Sequence, residues 1–125
     1  MKLKLLSATL VGAALGIGAI EMLHAQAKPP AYLISDITII DEAAYKEYSD
    51  KIVATYAQFG AKTLVRGGQT VALPGVGEPP KRVVVAMFES LDKAKAWSES
   101  DAVKQTRPLR DRVAKIHAYL VEGAQ

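Results

Sequence analysis

Hydrophobic and polar positions change period several times after residue 27, and each change marks an element. In "AYLISDITII" (31–40) apolar and polar residues alternate among β-branched and aromatic types, which predicts a strand. Asp41 offers an N-cap, and Tyr45, Tyr48, Ile52, Tyr56 and Phe59 recur at helical spacing. Gly60 suits the left-handed position that ends such a helix, and Glu47 and Lys51 form an i,i+4 pair on its far side. "AKTLVRGGQTVAL" (61–73) is strand-like apart from Arg66, Gly67 and Gly68, "PGVGEPP" is a loop, and "KRVVVAMFE" (81–89) is the strongest strand pattern of the chain. Ser90 caps a second helical stretch with Leu91, Ala94 and Trp97 on one face, and Ser100 caps its continuation. Pro108 is placed to begin one more turn, and "KIHAYLVEG" (115–123) closes the chain as a strand.

The order β-α-β-β-α-β predicts an α+β fold of the ferredoxin-like kind, an antiparallel four-stranded sheet with both helices on one face. The bare face calls for a cover, and a homodimer supplies one. Alternation assigns the faces. Leu33, Ile37 and Ile39, then Thr63 and Val65, are expected beneath the helices. So are Val83, Val85 and Met87 of the third strand and Ile116, Ala118 and Leu120 of the last. The bare face would then carry Tyr32, Ile34, Asp36 and Thr38, with Leu64 and Arg66. Arg82, Val84, Ala86 and Phe88 would join them, with His117, Tyr119 and Val121. Apolar walls with a few convergent polar groups describe a small-molecule pocket. A hairpin centred near Gly77 would set Arg66 opposite about residue 88 and Arg82 opposite about residue 72, too far apart to form one clamp. Gly67 and Gly68 would make a bulge or bend that re-aims Arg66.

Composition sets the compartment. "MKLK" is a short positive segment, "LLSATLVGAALGIGAI" an uncharged apolar run, and Ala25-Gln26-Ala27 a small-x-small site. Residues 1–27 are therefore expected to be a signal peptide cleaved after Ala27, leaving 28–125 as one domain, periplasmic or secreted and without stable membrane anchoring. The apolar run is shorter than the ~20 residues a spanning helix needs. With no cysteine there is neither a lipidation site nor a disulfide. Net charge is +3, but acidic and basic residues alternate, as in "DKAKAWSESDAVK", so nucleic acid is not an expected partner.

His117 is the one histidine beyond residue 27, so no His/Cys metal cluster is possible, and no cofactor motif is present. Imidazole ordinarily titrates near neutrality, so His117 is a candidate general base, with Asp36 to orient it or act as base itself. The alternatives are a surface histidine and a salt bridge from Asp36 to Arg66 or Arg82. The helix tyrosines and Trp97 likewise read as core side chains or as pocket walls.

"AYKEY", "GAKTLVRGGQTVAL", "KRVVVAMFES", "AKAWSES" and "YLVEG" resemble the domain of unknown function 1330 family, within the dimeric α+β barrel superfamily. The resemblance implies a homodimer whose sheets pack face to face. It implies that Tyr45, Tyr48, Arg66, Gly67, Gly68 and Phe88 fall on recurrent positions, as do Trp97, Ser100, Arg107 and Gly123. Ser98 stands where the family often has tyrosine, which implies a wider, wetter or differently selective pocket. The wider superfamily includes cofactor-free monooxygenases, lactone isomerases and haem-degrading enzymes, none of which these residues select. Three functions follow as expectations. One is a periplasmic homodimeric binder of a small organic molecule, a carboxylate among the candidates, using Arg66, Gly67, Gly68, Tyr45 and Tyr48 with Phe88, Trp97, Arg107 and Tyr119. The others are a cofactor-free enzyme using His117 or Asp36, and a structural dimer module without ligand.

Overall fold

The computed structural model describes residues 28–124, so the signal peptide expected over 1–27 lies outside the described residues. The elements are β1 (Ala31–Ile39), α1 (Glu42–Tyr56), a 3-10 turn (Ala57–Phe59), β2 (Lys62–Arg66), β3 (Arg82–Phe88), α2 (Leu91–Ser98), α3 (Asp101–Val113) and β4 (Ala114–Glu122). The four strands pair antiparallel in the order β2-β3-β1-β4, the ferredoxin-like arrangement.

Local chemistry explains the helix boundaries. Asp41 Oδ1 accepts the Ala44 N–H at 3.1 Å, and Gly60, at φ 67°, ends the helical segment. Ser90 and Ser100 cap α2 and α3, accepting from the N–H groups of Lys93 and Val103 at 3.2 and 3.4 Å. Pro108 departs from the expectation of a new turn, because it sits inside α3 on the solvent side. A proline there costs ~3 kcal/mol, which the burial of Val103, Thr106 and Val113 along the opposite side offsets.

β1 alternates as expected, with Ala31, Leu33, Ser35 and Ile37 buried and Asp36 and Thr38 exposed. β3 is inverted relative to the expectation. Val84, Ala86 and Phe88 are buried beneath the helices, and Val83, Val85 and Met87 face the open side. A strand apolar at nearly every position carries no alternation of its own, so its partner decides. Ser35, Leu33 and Ala31 of β1 stand opposite Val84, Ala86 and Phe88, and paired residues share a face. Phe88 is fully buried, its ring 5.3 Å from Trp97 and 6.3 Å from Tyr56.

β2 ends at Arg66, and residues 67–81 form an irregular arm instead of a long symmetric hairpin. The ladder slips between Thr63 and Val65, so the bulge lies at Leu64 and not at Gly67-Gly68. Below the slip Arg66 stands opposite Val84, on the helix side. Val65 moves to the open face opposite Val85 for the same reason.

Candidate functional site

Helix α3 packs against α1 and runs directly into the edge strand β4. Ala118, between Ile116 and Leu120 on the helix-side row of β4, is exposed, so that row is incompletely covered. The gap is a cavity of about 220 Å³. Its floor is Leu33, Ser35 and Ile37 of β1, its roof Tyr48, Ile52 and Tyr56 of α1, and Trp97 and Val103 close the inner end. Arg107 and Arg110 of α3 border it, as does Tyr119 at the sheet edge.

Its polar groups fall into two sets. The first is already satisfied by protein. Trp97 Nε1 donates to Thr55 Oγ1 at 2.7 Å, and Thr55 donates to the Ile52 carbonyl at 2.6 Å, so Trp97 offers the cavity only its ring. Arg66 Nη2 donates to Ser49 Oγ and Asp50 Oδ1, each at 3.0 Å. Tyr45 Oη accepts from Arg82 Nε at 3.1 Å, with the guanidinium carbon 5.1 Å from the ring centre.

The second set is Ser35, Tyr48 and Tyr56. All three are buried and line the cavity, and among the described residues none of their hydroxyls has a hydrogen-bond partner. Among the described residues no fully enclosed polar side-chain atom lacks a partner, so these hydroxyls open onto the cavity. Burial pushes the Tyr48 hydroxyl up to about 12, against the opposing charge of Arg110. Burial also raises Tyr56, with Arg66 opposing. Both phenols are neutral proton donors at physiological pH.

The structure thus collects Tyr45, Tyr48, Arg66, Trp97 and Arg107 around one cavity, on the helix side of the sheet and not on the bare face, while Tyr119 belongs to the open-face row of the edge strand and adjoins the cavity only at its rim. Phe88 packs beneath this group without lining it. Asp36 and His117 stand directly opposite each other on β1 and β4, but on the open face, where only a shallow depression adjoins them. Neither pairs with an arginine, since Arg66 bonds to Asp50 and Arg82 to Tyr45. Arg66 and Arg82 are neighbours on the same face, separated by one step of the ladder, which corrects the wide spacing expected from a symmetric hairpin.

Gly67 has φ 68°, its N–H donates to the Val83 carbonyl at 2.9 Å, and a Cβ there would collide with the Arg82 guanidinium. Gly67 therefore makes room for Arg82 on its way to Tyr45, while Gly68 has open space around it. Sequence reasoning missed Ser35, Tyr56 and Arg110 as cavity residues. Ser35 had a signal, being the one polar residue in the inward row Leu33, Ser35, Ile37. Among the described residues no group of three or more His, Asp or Glu side chains is placed to hold a metal.

Three solved structures with the same fold match the chain at identities well below 25%. A protein of unknown function from Rhodopseudomonas palustris aligns with TM-score 0.63 at 11% identity, covering 86% of this chain and 93% of its own. A dimeric protein of unknown function and ferredoxin-like fold from Bacteroides fragilis aligns at 0.52 and 12% identity, over 75% and 96% of the two chains. SnoaB, a cofactor-independent oxygenase from Streptomyces nogalater, aligns at 0.52 and 10% identity, over 78% and 95%. No curated protein matches the chain by sequence. Residues 30–124 match the model of DUF1330, a domain of unknown function, and the chain belongs to that family.

Proposed function

We propose that this protein binds a small organic acid in the cavity between sheet and helices, and does so as an exported homodimer. The observation that carries the reading is the set of unpartnered hydroxyls of Ser35, Tyr48 and Tyr56 inside an otherwise apolar chamber bordered by arginines. Such groups fix the orientation of a ligand whose body is held by apolar walls. Trp97, Tyr56 and Val103 supply those walls, and a guanidinium suits a planar carboxylate because it can bind both oxygens.

The dimer rests on the open face, which presents Ile34, Val85 and Met87 beside Tyr119 and Val121. The dimeric ferredoxin-like neighbour from Bacteroides fragilis supports that assembly by analogy of fold. Export rests on the sequence of residues 1–27. The enzyme reading with His117 or Asp36 as base has less support, since both face away from the cavity across the sheet.

Thermal denaturation with benzoate, 4-hydroxybenzoate and 1-naphthoate tests the reading. A binder gains stability as RT ln(1 + [L]/Kd), about 2.7 kcal/mol at one hundred times Kd. The expected result is a melting point that rises with concentration of at least one compound, and rises less in Tyr56→Phe. A melting point that none of the three compounds moves would defeat the reading.

A further inference from the structure

The three cavity arginines are not equivalent. Arg66 is an ion pair with Asp50 that is also fixed by Ser49, all through Nη2, so its charge is already matched by an acidic partner. Arg107 makes one hydrogen bond among the described residues, from Nη2 to the Ser98 carbonyl at 3.3 Å, and has no acidic partner in contact. Arg110 donates from Nε to Asp111 Oδ1 at 2.8 Å, which leaves the Nη edge of its fork unengaged among the described residues. Arg107 and Arg110 lie three residues apart on α3 and so are neighbours on the helix surface. Val103 and Thr106, on the same flank, are buried against the cavity.

Resting on the cavity reading, we infer that the ligand is a monocarboxylate whose charged end sits between Arg107 and Arg110, while Arg66 braces the wall and does not bind the anion. The charge balance sets the class. Arg107 and Arg110 with Asp111 leave one net positive charge at this border, and Arg66 with Asp50 leaves none. One negative charge neutralises the site, whereas a dianion would bring a second into a chamber that holds no further unmatched cation among its lining residues. The free Nη edge of Arg110 offers the two parallel N–H donors a carboxylate takes best. From there the body of the ligand runs inward past the hydroxyls of Tyr48, Tyr56 and Ser35 towards Trp97. The two α3 arginines are thus the specificity residues, and the hydroxyls read a second polar group along the body.

The test is a calorimetric titration of benzoate, 4-hydroxybenzoate and 1-naphthoate, each beside its uncharged primary amide and beside the dianion terephthalate. Wild type is expected to bind its preferred acid at least ~10-fold more tightly than the matching amide and than terephthalate, as loss of a charge-assisted pair requires. In Arg107→Gln and Arg110→Gln the gap between acid and amide should shrink at least ~5-fold, with amide affinity held. In Arg66→Gln acid and amide should weaken together, because the wall and not the anion contact is lost. Acid and amide of equal affinity would overturn the inference while leaving the cavity reading intact. So would a dianion that binds more tightly, or an acid–amide gap abolished by Arg66→Gln and untouched by the α3 substitutions. No binding by any compound would remove the cavity reading and this inference together.

Discussion

The two faces of this sheet are built from the same four strands but leave different things unpaired. On the helix side the row Leu33, Ser35, Ile37 lies beneath the helices, and a chamber remains whose lining includes the unpartnered hydroxyls of Ser35, Tyr48 and Tyr56. On the open side the row Tyr32, Ile34, Asp36 lies under nothing, and what it leaves uncovered is mostly apolar surface with one Asp36–His117 cross-strand pair. Unpartnered hydroxyls in a concave apolar chamber suit a small ligand, whereas a broad apolar surface suits another protein surface. The proposed ligand and the proposed partner copy thus fall on opposite faces.

The largest effect should come from the residue that separates the two faces most sharply. Phe88→Ala removes a fully buried ring packed on Tyr56 and Trp97 and should cost about 3–5 kcal/mol in urea denaturation. Val85→Ala, three residues away on the open face, should cost far less in the monomer; equal costs would mean that the faces of β3 are misassigned. Val85→Lys should leave the chain folded and weaken the homodimer by about 3 kcal/mol or more, seen in sedimentation as a monomer that still binds the cavity ligand. A mutant that stays dimeric would move the interface elsewhere.

Gly67→Ala forces a side chain into the left-handed region and into the Arg82 guanidinium, a cost of about 1–2 kcal/mol in stability. Gly68→Ala, with open space around it, should be close to neutral. Loss in both alike would mean that the pair acts through chain flexibility instead of Arg82.

An effect of a different kind lies in alkali. Folded Tyr48 holds its proton to about 12, while the unfolded chain releases it near 10, so the folded state binds more protons in that window. Stability therefore falls as pH rises from about 10 to 12, by up to ~1.4 kcal/mol per pH unit for this group. Tyr48→Phe should flatten that slope, and an unchanged slope would place the hydroxyl in contact with bulk solvent.

Most of the fold was legible in the sequence because caps and alternation act locally. Asp41, Gly60, Ser90 and Ser100 do what their chemistry predicts, and β1 alternates cleanly. The inversion of β3 was not legible, since Val83 to Phe88 is apolar throughout and takes its orientation from β1 across the ladder. The register of β2 depends on a slip at Leu64 and an irregular arm over 67–81, and neither leaves a periodic trace. These two non-local facts moved Arg66 and Phe88 from the bare face to the helix side. They also moved the candidate site, leaving His117 and Asp36 behind on the other face. The cavity itself comes from how the helices pack over the sheet, a matter between elements that no single segment encodes.

The most direct measurement is NMR of protein labelled on its aromatic rings, titrated with whichever acid raises the melting point. Tyr48, Tyr56 and the sole tryptophan, Trp97, line the cavity, while Tyr32 and His117 lie on the open face. The account predicts saturable shifts of the Tyr48, Tyr56 and Trp97 resonances, with Tyr32 and His117 unmoved. Shifts confined to His117 and Tyr32 would contradict it and return the site to the open face.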